Sequence, residues 1–301
     1  MSFAAGSPPF PQQFPRLAVL ADVHGNLPAL EAVLQDAHQQ GADSILVAGD
    51  LVGGPQSNET TTLLSNLGAC MIRGNSDGAI LRYLHGDAPP DWRTRQQYAL
   101  LRWGACSISE ATRETLDALP EQRVFNVGPQ SAIRLVHGSP RDPCESLFPD
   151  LEPEAFEQAL AEFRETVLVC GHTHVPWQRR RGGQLAMNPG AVGGPLNGDT
   201  RAHFAILSWD GKEWQVEPRA IPYDLKRIRE AFRLSGLLEE GGPLAQAFLL
   251  SIETARDVSL AFLTFAQEVK AGFPHADPIP DSAWEQAAVA FDWSSGGPPV
   301  P

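Results

Sequence analysis

The stretch Leu17-Ala-Val-Leu-Ala-Asp-Val-His24 opens the part of the chain that decides the fold. Its apolar residues predict a buried strand, and Asp22 and His24 follow where that strand ends. A helical pattern over residues 27–40 and a second apolar run, Ser44-Ile-Leu-Val-Ala48, come next. A strand, a helix and another strand in this order predict parallel strands joined by a crossover helix, and therefore an α/β sheet.

The same patterns continue along the chain and then change. Further helical patterns cover residues 58–67, 79–119 and 152–164. Further strand patterns cover residues 70–73, 132–136, 167–170, 184–187, 203–209 and 213–217. The last strands follow one another without helices between them, which favours a mixed α+β sandwich over a purely doubly wound sheet. The basic run Arg179–Arg181 is interpreted as a solvated turn between strands.

The region after Pro222 has a different pattern. Residues 224–234 place Leu225, Ile228 and Phe232 on one stripe, which predicts an amphipathic helix. After a Gly-rich break, the apolar residues 244–269 predict one long helix or a helical pair.

These patterns divide the chain into three parts. A flexible, Pro-rich leader covers residues 1–15, and a catalytic domain covers residues 16–222. A helical C-terminal extension with a disordered tail covers residues 223–301. The extension is left with three uses: packing on its own domain, pairing with a second subunit in a homo-oligomer, or covering the site as a lid.

The composition limits the classes of function. The chain has 23 Lys and Arg against 36 Asp and Glu, so its formal charge is −13. Such a chain lacks the broad basic surface of a duplex-binding protein and suits an anionic membrane poorly, so we expect neither long nucleic acid nor a membrane as partner. Four separate cysteines without a CxxC pair, and an N-terminus without a signal-peptide pattern, predict a cytoplasmic protein.

Polar residues that bind metals follow the predicted strands. They are Asp22, His24, Asp50, Asn75, His137, His172 and His174. Because ligands gather at the carboxyl ends of strands in open α/β sheets, we expect these side chains to meet at one edge. Their oxygen and nitrogen donors suit Mn²⁺, Fe, Zn²⁺ or Mg²⁺. The set is too large for one tetrahedral site, and it fits two metals that share a carboxylate.

Each motif taken alone has a plainer interpretation. Asp22 and the pair Gly74-Asn75 fit ordinary turns, and a lone His137 is more often a half-buried histidine than a ligand. Gly171-His-Thr-His174 is the most specific motif, since alternate residues of a strand point to opposite faces, whereas a loop can turn both rings inward. All the motifs in this order, each after a strand, are poorly explained by chance.

In this order the motifs resemble those of the calcineurin-like metallophosphoesterase superfamily, which are D-x-H, G-D, G-N-x-[D/E], H and G-H-x-H. They occur here as Asp22-Val-His24, Gly49-Asp50, Gly74-Asn75-Ser-Asp77, His137 and Gly171-His172-Thr-His174. The similarity spans Leu17 to Asp224, and Met187-Asn-Pro-Gly190 with Gly198-Asp199 looks like a stretch of the small bacterial phosphodiesterases. The resemblance implies an α+β fold, a four-layer α/β/β/α sandwich, here with a C-terminal helical extension.

The resemblance also implies roles for these residues. A first divalent metal ion would be bound by Asp22, His24 and His174. A second would be bound by Asn75, His137 and His172, and Asp50 would bridge the two. Mn²⁺ is favoured, with Fe, Zn²⁺, Mg²⁺ or Ni²⁺ as alternatives. A hydroxide between the metals would attack the phosphorus.

Residues around the metals complete the predicted site. Asp50, Asn75 and Asp77 are assigned as catalytic, with Asp77 either orienting other groups from behind or acting as a helix N-terminal charge. Asn75 and Arg201 are the predicted substrate contacts. Many family members carry a histidine that can protonate the leaving group directly after the motif's asparagine, and here that residue is Ser76. Serine is a poor general acid, so another group supplies the proton or the leaving group is good.

The departure at Ser76 favours a phosphodiesterase over a generic monoesterase. We therefore expect a dimetal phosphodiesterase that hydrolyses a small phosphodiester or nucleotide. The alternatives are a phosphomonoesterase or nuclease of the same superfamily, and a non-catalytic scaffold that binds proteins.

Overall fold

The computed structural model describes residues 15–127, 131–271 and 278–297. Most of the predicted leader, residues 1–14, and the last four residues of the predicted tail, 298–301, lie outside the described residues. The strands of the described chain are β1 (Arg16–Leu20), β2 (Ser44–Val47), β3 (Cys70–Met71), β4 (Arg123–Asn126), β5 (Ala132–Leu135), β6 (Val167–Val169), β7 (Trp177–Arg181), β8 (Gln184–Asn188), β9 (Ala202–Trp209) and β10 (Trp214–Ile221).

These strands form two five-stranded mixed sheets. The first has the order β10-β9-β1-β2-β3, and the second has the order β4-β5-β6-β8-β7. The strands β1, β2 and β3 run parallel, as do β5, β6 and β8, whereas β9, β10, β4 and β7 pair antiparallel to their neighbours. The parallel strands at the centre of each sheet therefore direct their carboxyl ends to one edge.

Helices cover the outer faces of both sheets and form the C-terminal region. In chain order they are α1 (Leu27–Gln39), α2 (Ser57–Asn66), α3 (Asn75–His85), α4 (Asp91–Thr94), α5 (Ala99–Ser107), α6 (Glu110–Ala118), α7 (Pro153–Ala159), α8 (Leu225–Leu234), α9 (Leu237–Glu240), α10 (Gly242–Thr254), α11 (Val258–Lys270) and α12 (Asp281–Ala290). A short 3₁₀ turn, Gln96–Tyr98, lies between α4 and α5.

The alternation of side chains along the strands explains the layers. In β1, Leu17 and Val19 belong to the core between the sheets, and Ala18 and Leu20 belong to the core under α1. On the far side, α7 and the residues after it cover the second sheet, where Phe156 shares a buried cluster with residues of β6 and β8. The order helix, sheet, sheet, helix confirms the predicted four-layer sandwich.

The C-terminal helices pack on the same side as α5. Ile228 and Phe232 of α8 and Ile252 of α10 bury apolar surface together with Trp103 of α5. A second cluster joins α10, α11 and α12, with the rings of Phe262 and Trp284 packed edge to face at 4.9 Å between centroids. The extension thus buries an apolar core of its own and also packs on the sandwich.

Three local predictions differ from the structure. Arg179–Arg181 is part of the edge strand β7 instead of a turn, since an edge strand leaves its charged side chains in contact with water. No strand was predicted at the position of β4, because most of its residues are exposed and it has no apolar run. Residues 293–297, expected in a disordered tail, are instead held by contacts: the Trp293 indole stacks 5.2 Å from the Phe262 ring, and its N–H donates to the Ala288 carbonyl.

None of the helices in the described ranges is both long enough and apolar enough to cross a membrane.

Candidate metal centre

The predicted ligands lie just beyond strand ends, as expected from the sequence. Asp22 and His24 follow β1, Asp50 follows β2, and Asn75 is the first residue of α3 after β3. The second sheet contributes three histidines, which are His137 after β5 and His172 and His174 after β6. Because the two sheets pack face to face, their carboxyl ends meet, and all of these side chains come together in one cluster.

The backbone at this cluster is unusual. The left-handed conformation, which side chains rarely adopt, occurs at Asp22, His24, Asp50, His172 and His174, with φ between 46° and 68°. Among the described non-glycine residues, Ala255 is the other example. Hydrogen bonds between the loops hold this conformation, including Asp22 N–H to the Gly49 carbonyl at 3.1 Å. Such strain persists where the surroundings fix it, and it concentrates at functional sites.

Two motif positions require glycine because carboxylate oxygens of the cluster lie very close to their backbone. A Cβ on Gly74 would lie 2.1 Å from Asp50 Oδ1, and one on Gly171 would lie 3.0 Å from Asp22 Oδ2. A side chain at either position would therefore displace a carboxylate of the cluster. This contact gives a physical reason for glycine in the G-N and G-H motifs.

Backbone carbonyls fix the orientation of three histidine rings. The Nδ1–H groups of His24, His137 and His174 donate to the carbonyls of Val52, Ala48 and Gly194, at 3.2, 2.7 and 2.5 Å. A neutral ring with Nδ1 protonated has its lone pair on Nε2, and in each of the three rings Nε2 faces the cluster.

The donor atoms form two groups. In the first, His174 Nε2 lies 3.5 Å from Asp22 Oδ1 and 3.3 Å from His24 Nε2. In the second, Asn75 Oδ1 lies 2.8 Å from His137 Nε2 and 2.8 Å from His172 Nδ1. These are the two sets that the family resemblance implies.

Asp50 lies between the two groups. Its Oδ1 is 3.5 Å from His137 Nε2, and its Oδ2 is 3.5 Å from His24 Nε2. Ser76 holds the carboxylate from the other side, because its backbone N–H donates to Oδ1 at 2.8 Å and its hydroxyl donates to Oδ2 at 2.7 Å. Each carboxylate oxygen therefore faces a different donor group.

Burial sets the charge state of the rings and of Asp22. It lowers the pKa of His24, His174 and His172, that of His172 to about 4, so these rings are neutral near pH 7. It also raises the pKa of Asp22 to about 7. Neutral rings are the form in which histidine binds a metal ion.

The pKa of Asp50 is lowered and that of His137 is raised, opposite to the shifts of Asp22 and of the other three rings. Burial raises the pKa of Asp50, but the facing His137 and His24 outweigh it and lower the pKa to about 2. Burial likewise lowers the pKa of His137, but the charges of Asp50 and Asp22 outweigh it and raise the pKa. Asp50 is therefore the carboxylate of the cluster that stays ionised over the widest range of pH.

The donor set fits a divalent cation. Lone pairs of His24 and His174 face each other and the Asp22 carboxylate, an arrangement that repels unless a positive charge lies between them. The donor atoms of Asp22, His24 and His174 lie within 4.8 Å of one another, as do those of Asp22, Asp50 and His137. Ligands of one tetrahedral metal ion with bonds of about 2.1 Å lie roughly 3.4 Å apart, close to the separations in the first group.

Comparison with known proteins agrees with this geometry. A family model described as a calcineurin-like phosphoesterase superfamily domain matches residues 16–212. The chain belongs to the calcineurin-like phosphoesterase superfamily. It is therefore a metal-dependent phosphoesterase, and the predicted ligand motifs all lie inside the matched range.

Individual relatives agree with the family. An uncharacterised protein of Methanocaldococcus jannaschii is 29% identical over 232 residues, 71% of this chain and 90% of that protein. The phosphodiesterase YfcE of Escherichia coli K12 is 27% identical over 207 residues, 65% of this chain and 88% of that protein. The crystal structure of a metallophosphoesterase from Sphaerobacter thermophilus is 27% identical, with a TM-score of 0.64, and the match covers 80% of this chain and 99% of that one.

The contacts of Asp77 in this phosphoesterase fit the orienting role expected as one alternative, and they give no support for direct catalysis. Its side chain is fully buried, Oδ1 accepts the backbone N–H groups of Leu51 and Val52, and Oδ2 accepts that of Gly74. Burial, with the charge of Asp50 added, raises its pKa to about 7. Asp77 therefore ties the Asp50 loop to the start of α3 and does not face the cavity, so it is a positioning residue.

Arg201 also differs from the prediction. Its guanidinium pairs with Asp199, with Nε 2.9 Å from Oδ1, and its side chain is 51% exposed. It does not line the cavity described below. The predicted contact between Arg201 and substrate is therefore unsupported, because a neighbouring carboxylate already neutralises this cation.

A cavity of about 640 Å³ opens at the cluster. On one side it is lined by His24, Asp50, Asn75, His172 and His174, and Ser76 also lies on that side. Asp22 and His137 are buried beneath it. The opposite side is formed by residues from the α4–α5 region and from the C-terminal helices α10 and α11. Residues of the extension thus line the cavity next to the donor cluster, and the lid alternative stays a prediction.

Two sets of residues around the cluster were absent from the sequence prediction. Asn188 donates to the Gly171 carbonyl at 2.6 Å and to the Thr173 hydroxyl, so it supports the loop of His172 and His174. A sequence signal for Asn188 was present, because the Met187–Gly190 stretch resembles a stretch of the small bacterial phosphodiesterases. The apolar cavity wall had no such signal, since its residues come from distant segments and resemble ordinary core positions.

Proposed function

We propose that this phosphoesterase is a dimetal phosphodiesterase that acts on a small phosphodiester or nucleotide. The observation that carries the proposal is the position of Asp50, whose two oxygens face the two separate donor groups. A carboxylate in this position is suited to bridging two cations. The relative YfcE, named a phosphodiesterase, supports the diester assignment.

The proposed ligands follow the two groups of donor atoms. Asp22, His24 and His174 would hold one ion, Asn75, His137 and His172 would hold the other, and Asp50 would contact both. Mn²⁺ is the favoured metal. When bound, the divalent ions would activate a water molecule and neutralise charge on the phosphoryl oxygens.

The protein's own groups position the reaction. Ser76 donates both its N–H and its hydroxyl to Asp50, so the bridging carboxylate is held in one orientation. The cavity side of the centre includes no free histidine, since the described histidines there are donors of the cluster. The lack of a free histidine to act as general acid among the described residues on this side supports a substrate whose leaving group departs easily.

Metal counting and substrate comparison test the proposal. The purified chain is loaded with Mn²⁺ and desalted. Inductively coupled plasma mass spectrometry is expected to find about two metal ions per chain. It should hydrolyse bis(4-nitrophenyl) phosphate faster than 4-nitrophenyl phosphate and leave single-stranded DNA largely intact. Asp50→Asn is expected to lower metal content and activity together. A chain with one metal ion, or a preference for the monoester, would contradict the proposal.

We also propose a cytoplasmic location and no long nucleic acid as partner. The four cysteines are unpaired, which supports a reducing compartment. Among the described residues that line the cavity none is Lys or Arg, which disfavours a polyanion. Pairing of two chains through the C-terminal helices stays a prediction, which the mass in solution would test.

A further inference from the structure

The apolar part of the cavity lining beyond the metal ligands, here called the wall, includes three aromatic residues, and the polar side chains of Gln97, Ser251, Ser259 and Gln267 line the cavity beside it. The main residues of the wall are Trp92, Tyr98, Leu244, Phe248, Leu263 and Ile279. The ring centroids of Trp92 and Tyr98 lie 5.6 Å apart, with 31° between the ring planes. Most of the six side chains are only partly buried, so the wall keeps apolar surface that a ligand can cover.

This wall adjoins the metal centre directly. The Phe248 ring stands edge-on to the His24 ring, with centroids 5.7 Å apart and 76° between the planes. A phosphate held at the cluster would therefore have its ester substituent next to Phe248. The wall and the metal ligands form a single cavity, so one small molecule can contact both.

The charges in the cavity limit what that molecule can carry. Within the described lining, the ionisable groups beyond the metal ligands amount to Asp257, an acid, and the phenol of Tyr98. A ligand with a second phosphate would find no cation for it away from the metal centre. The lining thus favours a single phosphate with an uncharged substituent.

We propose that this wall is a subsite for an aromatic substituent of a phosphodiester that carries a single phosphate group. The proposal rests on the proposed function and specifies its substrate class. Rings stack or pack edge to face against aromatic side chains, which Trp92, Tyr98 and Phe248 supply. Since Leu244, Phe248 and Leu263 belong to α10 and α11, the C-terminal extension contributes to substrate specificity together with Trp92 and Tyr98.

Two diesters that share the same leaving group but differ in the other substituent test the subsite. 4-Nitrophenyl phenyl phosphate and 4-nitrophenyl methyl phosphate release the same nitrophenolate. The enzymatic rate for each ester is divided by the rate at which Mn²⁺ without protein hydrolyses that ester, which corrects for their intrinsic reactivity. We expect kcat/KM to be roughly 10- to 30-fold higher for the phenyl ester, from the apolar area that its ring covers. Equal values for the two esters would overturn the subsite and leave the phosphodiesterase function standing.

Matched variants on α11 locate the effect. Leu263→Trp fills the cavity and is expected to lower the ratio of kcat/KM for the phenyl ester to that for the methyl ester about tenfold. The control is Leu260→Trp on the same helix, where the residue is 58% exposed, and it should change neither value. Retained hydrolysis of the methyl ester shows that Leu263→Trp is folded. Equal loss of both substrates in Leu263→Trp would contradict the subsite.

A binding measurement separates the two proposals. If neither diester is hydrolysed, the proposed function fails, and the affinities of diphenyl and dimethyl phosphate for the Mn²⁺-loaded protein then decide the subsite. Calorimetry is expected to show tighter binding of diphenyl phosphate, weakened by Leu263→Trp and not by Leu260→Trp. Equal affinities would overturn the subsite independently of any activity.

Discussion

Single residues around Asp50 determine how the proposed metal ligands are oriented. Ser76 is the clearest example, since it takes the place of the family's common histidine and donates twice to Asp50. Asp77 acts one step further away and holds the backbone that carries Asp50. Both residues lie beside the ligands in sequence, and their contacts give them positioning roles that the motif alone leaves open.

Ser76→Ala removes the hydroxyl that donates to Asp50 Oδ2 and keeps the backbone donor. We expect kcat to fall about 10- to 100-fold, as for other groups that orient metal ligands. Ser76→Thr keeps the hydroxyl and should restore most of the rate. The measurement is kcat and KM for bis(4-nitrophenyl) phosphate across a Mn²⁺ titration. An alanine variant with unchanged kcat at every metal concentration would contradict this role.

Asp77→Asn replaces an oxygen acceptor with an amide that cannot accept from all three backbone N–H groups. The buried donor left without a partner is expected to lower the free energy of unfolding by about 1–3 kcal/mol. Urea unfolding in the presence of a chelator measures this without a contribution from bound metal. The exposed Asp150 provides the control, because Asp150→Asn should leave stability unchanged.

At the scale of elements, the start of α3 couples the Asp50 loop to Asn75. Gly74→Ala places a methyl group where Asp50 Oδ1 lies, so we expect loss of metal binding and a fall in kcat/KM of at least about 100-fold. Gly78→Ala in the same helix meets no atom within 4 Å and should be neutral or stabilise by up to about 1 kcal/mol. Metal content and thermal unfolding of both variants check the pair, and equal behaviour would refute the close-approach argument.

The same scale shows how far the sequence predicts the structure. β1 and β2 were predictable because buried parallel strands are continuous apolar runs, and the clustering of the proposed ligands was predictable because these residues follow such strands. β7 was missed because an edge strand need not be apolar. Leu263 and Phe248 carry no sequence signal for a site, since an apolar residue of a helix has the same pattern whether it faces a core or a cavity.

At the scale of the whole molecule, the sandwich and the C-terminal helices both line one cavity. The sandwich provides the donor atoms, and the wall comes from the α4–α5 region together with α10, α11 and Ile279. The net charge of −13 is unfavourable for polyanions in general, whereas the charge that a small diester meets is that of the local metal centre. Under the two proposals, the sandwich alone would supply the metal chemistry, whereas both parts of the chain would contribute to substrate choice.

Metal removal tests the whole arrangement. Asp22 and Asp50 are buried beside lone pairs of the rings, so the metal-free state is expected to be less stable than the loaded one. A metal at about 100 times its dissociation constant stabilises the folded state by about 2.7 kcal/mol. A chelator should therefore lower the unfolding temperature and abolish activity, and added Mn²⁺ should restore both. Asp50→Asn should show a much smaller Mn²⁺-dependent shift, because its amide is neutral. An unfolding temperature that is independent of metal in the unaltered protein would show that this cluster does not bind a divalent ion.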